Sequence, residues 1–128
     1  TLGRDGAAPI GRVFRNSAVN KHLFTREEVE PYRAAANRPG ALTAMLNYYR
    51  ANILRRFFTK SEPAAKIKVP TVFIYGEQDK AVLPETVRGV GGMMDAPYEE
   101  FHIPTSAHWV QQEAADAVTE ILREFLAE

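Results

Sequence analysis

The chain contains no cysteine among its 128 residues, which excludes disulfide bonds and thiolate metal ligands. Neither sign of charge is in excess, since Lys and Arg number 16 and Asp and Glu also number 16. No apolar run approaches the roughly 18 residues of a membrane-spanning helix, and no charged-then-apolar leader opens the chain. No metal cluster, phosphate-binding loop or cofactor motif is found, so no cofactor is expected. We expect a soluble, cytoplasmic protein that binds neither nucleic acid nor membranes.

What the chain does contain is enough apolar material for a folded core, because 45% of its residues are hydrophobic. Its length lies within the range of one ordinary domain. The chain opens at Thr1 in a polar stretch rich in glycine and alanine that continues to Pro9. An excised piece begins in this way, so we expect part of a longer protein.

The first half of the chain has only helical patterns. Thr25 followed by Glu28 fits a capping box, which predicts a helix through about Ala36. Pro31 lacks an N–H and lies late for a first-turn proline, so we expect a kink there or a later helix start.

A second helix is predicted after the break at Pro39–Gly40. One apolar face repeats at helical spacing, and that face is expected to point inward. The residues of this face are Leu42, Met45, Leu46, Tyr49 and Ile53.

After a polar linker from Thr59 to Lys68, the pattern changes to strand, helix, strand, helix. The strands are predicted at Val69–Tyr75, as a strand buried on both faces, and at about Tyr98–Ile103. The helices are predicted from about Pro84 and from Trp109 to Leu126. This order implies a right-handed βαβ unit. Because two parallel strands do not form a stable sheet in water by themselves, something else must cover them.

An acid and a histidine each follow one of these strands. Asp79 comes just after the first strand, and His108 comes just after the second. Side chains beyond the carboxyl ends of parallel strands share one rim of the sheet, so the two can form a hydrogen-bonded pair that orients the imidazole. Such a pair is two thirds of a hydrolytic triad. Each residue also has a plainer interpretation, Asp79 as a turn residue and His108 as a histidine bonded to its own loop.

The segments that carry these residues resemble the last two core strands of the α/β-hydrolase fold. The matching stretches are residues 68–79 (KVPTVFIYGEQD) and 108–113 (HWVQQE), and within the fold they are most similar to the epoxide hydrolase and haloalkane dehalogenase group. Residues 40–50 (GALTAMLNYYR) resemble the last cap helix of epoxide hydrolases. The resemblance implies an α/β fold in two parts: the end of a helical cap over residues 1–60, and the C-terminal part of the core over residues 61–128.

The resemblance also implies roles for individual residues. Asp79 would orient His108, His108 would activate water, and Tyr49 would donate a hydrogen bond to the epoxide oxygen. Trp109 would line the pocket for a small apolar substrate, although it could equally anchor the last helix. The chain departs from the family pattern at Ala107, where glycine is often found before the histidine, and in the glycine-rich crossover helix.

The nucleophile is missing from the chain. Upstream of Asp79 no strand leads into a G-x-S-x-G or similar elbow, and Ser17, Ser61 and Ser106 lack that turn. In an epoxide hydrolase the nucleophile would be an aspartate in the absent N-terminal half, forming an alkyl-enzyme ester. We therefore expect the isolated chain to be inactive.

Several alternatives remain open at this stage. A haloalkane or haloacid dehalogenase, or a serine esterase of the same fold, would use the same acid and histidine. A non-catalytic alternative is a fragment that folds only with its N-terminal complement, or with a second copy of the chain as a swapped oligomer.

Overall fold

The computed structural model describes residues 7–58 and 65–127. Its helices and strands run in the following order: α1 (Ala8–Ser17), α2 (Arg26–Ala36), α3 (Ala41–Phe58), β1 (Thr71–Gly76), α4 (Pro84–Val87), β2 (Tyr98–Ile103), α5 (Val110–Glu113) and α6 (Ala115–Ala127). Short 3-10 turns cover Lys21–Leu23 and Val90–Met93. The mixed α/β class predicted from the sequence is confirmed. Helix α1 was not expected from the pattern.

The predicted cap of α2 is present. The Thr25 hydroxyl oxygen accepts a hydrogen bond from the N–H of Glu28 at 3.2 Å, which satisfies one of the unpaired donors of the first turn. The helix is continuous from Arg26 to Ala36 with Pro31 inside it. The expectation of a later start was therefore wrong, because the cap fixes the first turn ahead of the proline.

Helix α3 follows Gly40, which adopts a positive φ of 79°. The helix is confirmed, but the inward orientation expected for its apolar face is not found. Tyr49 is 64% exposed, Ile53 is 54% exposed and Met45 is 50% exposed. The helical period of a sequence shows which face of a helix is apolar, but that face is buried only where another part of the protein packs against it. Within the described residues nothing covers this face of α3, so it is exposed to solvent.

The two strands form the parallel pair that the sequence predicted. They run in register from Thr71 opposite Tyr98 to Gly76 opposite Ile103. The expected burial of the first strand on both faces was wrong, since Thr71 to Ile74 are only half-buried while Tyr75 and Gly76 are buried. Within the described ranges the sheet has these two strands and no third, so the start of β1 stays partly open.

The connecting and final helices are shorter than predicted. Helix α4 begins at Pro84 as expected and ends at Val87, just before Gly89, whose φ is 84°. The last predicted helix is divided at Ala114, where φ is −132°, into the short α5 and the longer α6.

The described residues group into two compact units. One contains residues 7–14 and 24–58, and the other contains residues 15–23 and 65–127. The cap-and-core assignment remains a prediction, and most of its linker lies outside the described residues. The sequence did not predict that residues 15–23 would lie in the same compact unit as the two strands. In the part of the chain described, no helix is both long and apolar enough to span a membrane.

Candidate active site

Asp79 lies in a tight turn at the end of β1. Its main-chain N–H donates to the carbonyl oxygen of Gly76 at 3.1 Å, and the residue is only 8% exposed. Its Oδ1 accepts from the N–H of Ala81 at 2.7 Å and of Val82 at 3.0 Å. Burial raises the pKa of the Asp79 carboxyl, but these hydrogen bonds and the one to His108 outweigh it and hold the pKa below its ordinary value. Asp79 is therefore a carboxylate at neutral pH.

His108 is paired with the other oxygen of this carboxylate. The distance from His108 Nδ1 to Asp79 Oδ2 is 2.9 Å. A carboxylate can only accept, so Nδ1 must carry the proton. In the neutral imidazole, Nε2 is then the basic nitrogen. The side chain of His108 is 34% exposed, which leaves this base within reach of solvent.

The loops that carry the two residues are joined through their backbones. The N–H of Glu77 donates to the carbonyl oxygen of Ile103 at 3.1 Å, and the N–H of Gln78 donates to the carbonyl oxygen of Ser106 at 3.0 Å. Gly76 packs so tightly against this loop that an added Cβ would lie 2.3 Å from the carbonyl oxygen of Ala107. The end of β1 and the segment before His108 thus form one closely packed rim.

The other two residues predicted for the site have different surroundings. Trp109 stands edge-on to the His108 ring, with centroids 4.9 Å apart, and its Nε1 donates to the Ser17 hydroxyl at 2.7 Å. Tyr49 lies on α3 in the other compact unit, where its ring meets Tyr48 edge-on at 5.6 Å. The structure thus joins Asp79, His108 and Trp109 in one cluster, and the roles of all four residues remain predictions.

Two residues near the pair were not singled out from the sequence. Gly76 could have been found by its position, because a glycine three residues before the acid suits a close backbone approach. Glu113 lies in the 108–113 stretch with no signal of its own, yet its carboxylate accepts main-chain hydrogen bonds from Val19, Asn20 and Ala107. Nothing in a helical pattern marks a glutamate as an acceptor for distant N–H groups.

A second polar cluster lies along β2, outside this site. The Tyr98 hydroxyl donates to Glu100 at 2.6 Å, and His102 Nε2 lies 2.5 Å from the same carboxylate. Burial and the adjacent Glu100 raise the pKa of Tyr98 to about 12, and hydrogen bonds from Tyr98 and His102 lower that of Glu100. Across residues 7–58 and 65–127, no group of three His, Asp or Glu side chains is arranged to hold a metal ion.

Comparison with known proteins identifies the class of proteins to which this chain is related. The chain is 33% identical over 104 residues to an AB hydrolase superfamily protein of Bacillus subtilis, which covers 81% of this chain and 35% of that protein. Over most of its length, the chain is therefore homologous to α/β-hydrolases. No family model matches it.

Several relatives within this class are epoxide hydrolases. The chain is 36% identical over 105 residues to epoxide hydrolase 3 of Xenopus tropicalis, covering 82% of this chain and 28% of that protein. It is 32% identical over 133 residues to epoxide hydrolase 1 of Siraitia grosvenorii, covering 96% of this chain and 42% of that protein. The chain thus spans well under half the length of these relatives.

The fold agrees with a solved structure of the same group. The crystal structure of Bacillus megaterium epoxide hydrolase in complex with an inhibitor aligns with a TM-score of 0.74 at 21% identity, covering 99% of this chain and 46% of that one. This chain is an epoxide hydrolase homologue that corresponds to a portion of the α/β-hydrolase fold.

Proposed function

We propose that this chain is the C-terminal portion of an epoxide hydrolase, and that it supplies the acid and the histidine that hydrolyse a covalent intermediate. The observation that carries the proposal is the 2.9 Å contact between His108 Nδ1 and the buried carboxylate of Asp79. The similarity to epoxide hydrolases supports this reaction over dehalogenation or ester hydrolysis, which could use the same pair.

The proposed reaction has two steps. A carboxylate nucleophile, supplied from outside this chain, attacks one epoxide carbon and breaks its C–O bond, which leaves an alkyl-enzyme ester and an alkoxide that takes up a proton. His108 Nε2 then removes a proton from a water molecule as that water attacks the ester carbonyl. Collapse of the tetrahedral intermediate breaks the ester C–O bond, and the leaving diol oxygen takes the proton from the imidazolium. The second proton of the water leaves the carboxyl group as the carboxylate re-forms and restores the group that protonated the first alkoxide. Asp79 holds the imidazole in the required tautomer and stabilises the imidazolium that forms.

Tyr49 is the proposed donor to the epoxide oxygen. A phenol can donate its proton toward the alkoxide that develops as the ring opens. Tyr49 lies on the apolar face of α3, and this face is exposed in the described chain. An exposed apolar face of this kind is one that a substrate could contact. The proposed substrate is a small apolar epoxide, with Trp109 beside the base as a wall of its pocket.

The chain's proposed partner is the N-terminal half of the same fold, which would bring the nucleophile. The half-buried start of β1 and the exposed face of α3 are surfaces that such a partner would cover. A second copy of the chain would cover the same surfaces without supplying a nucleophile. The isolated 128-residue chain is therefore expected to be inactive.

The test compares substitutions of the acid and the histidine in the full-length protein that carries this chain. Diol formation from styrene oxide is measured for His108→Gln and Asp79→Asn, with His22→Gln as the matched control at an exposed histidine outside the site. Loss of a general base slows turnover by about 10²–10⁴-fold, so His108→Gln is expected to fall in this range while His22→Gln keeps the parent rate.

The same assays separate the proposal from its competitors. A chloroalkane and an activated ester are run beside the epoxide, and faster His108-dependent turnover of either would replace the epoxide assignment. Parent-level epoxide hydrolysis by His108→Gln would reject the role of the histidine. Epoxide turnover by the isolated chain that is lost in His108→Gln would reject the need for an external nucleophile.

A further inference from the structure

The carboxylate of Glu113 connects two separate stretches of backbone beside His108. Its Oε1 accepts from the N–H of Ala107 at 3.1 Å. Its Oε2 accepts from the N–H of Val19 at 2.6 Å and of Asn20 at 3.1 Å. Glu113 is the last residue of α5, so its one side chain ties the residue before His108 to a segment that lies 93 and 94 positions before Glu113 itself.

The residue after His108 is tied to the same early segment. The indole Nε1 of Trp109 donates to the hydroxyl of Ser17 at 2.7 Å, and the indole ring stands edge-on to the imidazole. Both chain neighbours of His108 are therefore held to residues 17–20. Residues 17–20 belong to the same compact unit as the strands and not to the unit that holds the rest of the first half of the chain. The hydrogen bonds to Glu113 and Trp109 account for this grouping.

Asp79 alone does not fix the imidazole. One hydrogen bond sets the distance from Nδ1 to Oδ2, but the ring can still swing about it if the backbone of the loop moves. Ala107 is buried, so its N–H has to be paired within the protein, and a charged acceptor makes the stronger bond. Three such bonds to one carboxylate restrain the loop at the point where the His108 side chain begins.

We propose that Glu113 is a positioning residue: it holds the Ala107–His108 backbone to residues 17–20 and thereby fixes the imidazole against Asp79. The inference rests on the proposed function only in taking His108 as the base. It assigns residues 17–20 to the frame of the site, although they lie far upstream in sequence.

The test is made on the full-length protein with Glu113→Gln and, as the matched control, Glu124→Gln on the exposed side of α6. A glutamine oxygen can accept from only one of the two backbone stretches, and its NH₂ then faces N–H donors on the other side. The imidazole tautomer of His108 is read from its ¹H–¹⁵N spectrum at neutral pH, together with kcat and KM for styrene oxide.

Glu113→Gln is expected to shift or broaden the Nδ1–H signal of His108 and to populate both tautomers. The expected kinetic effect is a fall in kcat of about 10- to 100-fold with KM changed less than about twofold, because misorientation affects the reacting geometry rather than binding. Glu124→Gln should leave both readouts unchanged. An unaltered His108 signal in folded Glu113→Gln protein overturns the proposal.

Two further outcomes are distinguishable. If Glu113→Gln does not fold, Glu113→Asp decides: it keeps the negative charge, but its side chain is one methylene shorter and cannot reach both backbone stretches. An unchanged His108 signal in this variant overturns the proposal, whereas a shifted one supports it. If the parent protein turns over no epoxide but Glu113→Gln still disturbs the His108 signal, the positioning role stands and the proposed function fails.

Discussion

Gly76 offers the sharpest test of how the site is held together. An added Cβ at this position would lie 2.3 Å from the carbonyl oxygen of Ala107 and 2.8 Å from both the carbonyl oxygen and the hydroxyl of Ser106. Two of these atoms belong to the backbone, so no side chain can rotate away to relieve the contact. Ordinary van der Waals contact begins at 3.4 Å, and the loop must therefore retreat by about 1.1 Å.

This retreat has two consequences that can be measured separately. Forcing a methyl group into a packed site costs about 1–3 kcal/mol, so Gly76→Ala should lower the free energy of unfolding by that amount. If His108 moves with the loop, the 2.9 Å contact from Nδ1 to Asp79 Oδ2 lengthens toward about 4 Å, beyond hydrogen-bond range. If His108 is the base proposed above, a displacement of this size lowers turnover by about 100-fold.

Gly92→Ala is the matched control, because a Cβ there meets nothing within 4 Å. Both variants are prepared in the full-length protein and compared by urea denaturation and by epoxide turnover. The control should stay within about 0.5 kcal/mol of the parent. If Gly76→Ala matches the control in both stability and kcat, the rim is not packed as the structure indicates and the argument from close approach fails.

Three other predictions concern single groups. Burial raises the pKa of Asp79 but its hydrogen bonds lower it more, so the stabilisation by its carboxylate is complete above the ordinary value of about 4 and is lost as pH falls through the lowered pKa. Urea denaturation should show a stability difference from Asp79→Asn that shrinks below about pH 4, and a difference that persists undiminished in stronger acid would contradict this. Thr25→Ala should lower the free energy of unfolding by about 1 kcal/mol through loss of the helix cap, relative to Thr119→Ala on exposed α6, and equal stability of the two variants would argue against the cap. Tyr49→Phe should reduce kcat for epoxides more than Tyr48→Phe does, since only the former hydroxyl is the proposed donor to the opening ring, and equal rates would remove Tyr49 from the mechanism.

The parallel pair of strands could be predicted because its signals are local. β-branched and aromatic residues between Val69 and Tyr75 favour a strand, and the second predicted strand coincides with β2 at Tyr98–Ile103. The division of the last helix at Ala114 carried no such signal, since alanine is the best helix former. There the backbone conformation is set by the surrounding fold, which the local pattern does not contain.

Burial was harder to predict than secondary structure. The apolar repeat in α3 gave the right helix, but the exposure of Tyr49 and Ile53 depends on what lies against that face. A one-dimensional pattern identifies the side of a helix that avoids water and leaves the covering surface unspecified. The same reasoning applies to β1, whose apolar sequence suits a strand between two neighbours although only β2 pairs with it in the described chain.

The acid and the histidine could be located from sequence because their chemistry is distinctive and their position after a strand is a topological signal. The groups that support them have neither property. Gly76 contributes the absence of a side chain, and Ala107, Val19 and Asn20 contribute only main-chain N–H groups to Glu113. Every residue except proline has such an N–H, so its value to the site depends on where the chain places it. Reactive groups can thus be inferred from residue types, whereas the precision with which they are held comes from the packing of the backbone around them. Substitutions at Gly76 and Glu113 measure the contribution of this packing directly.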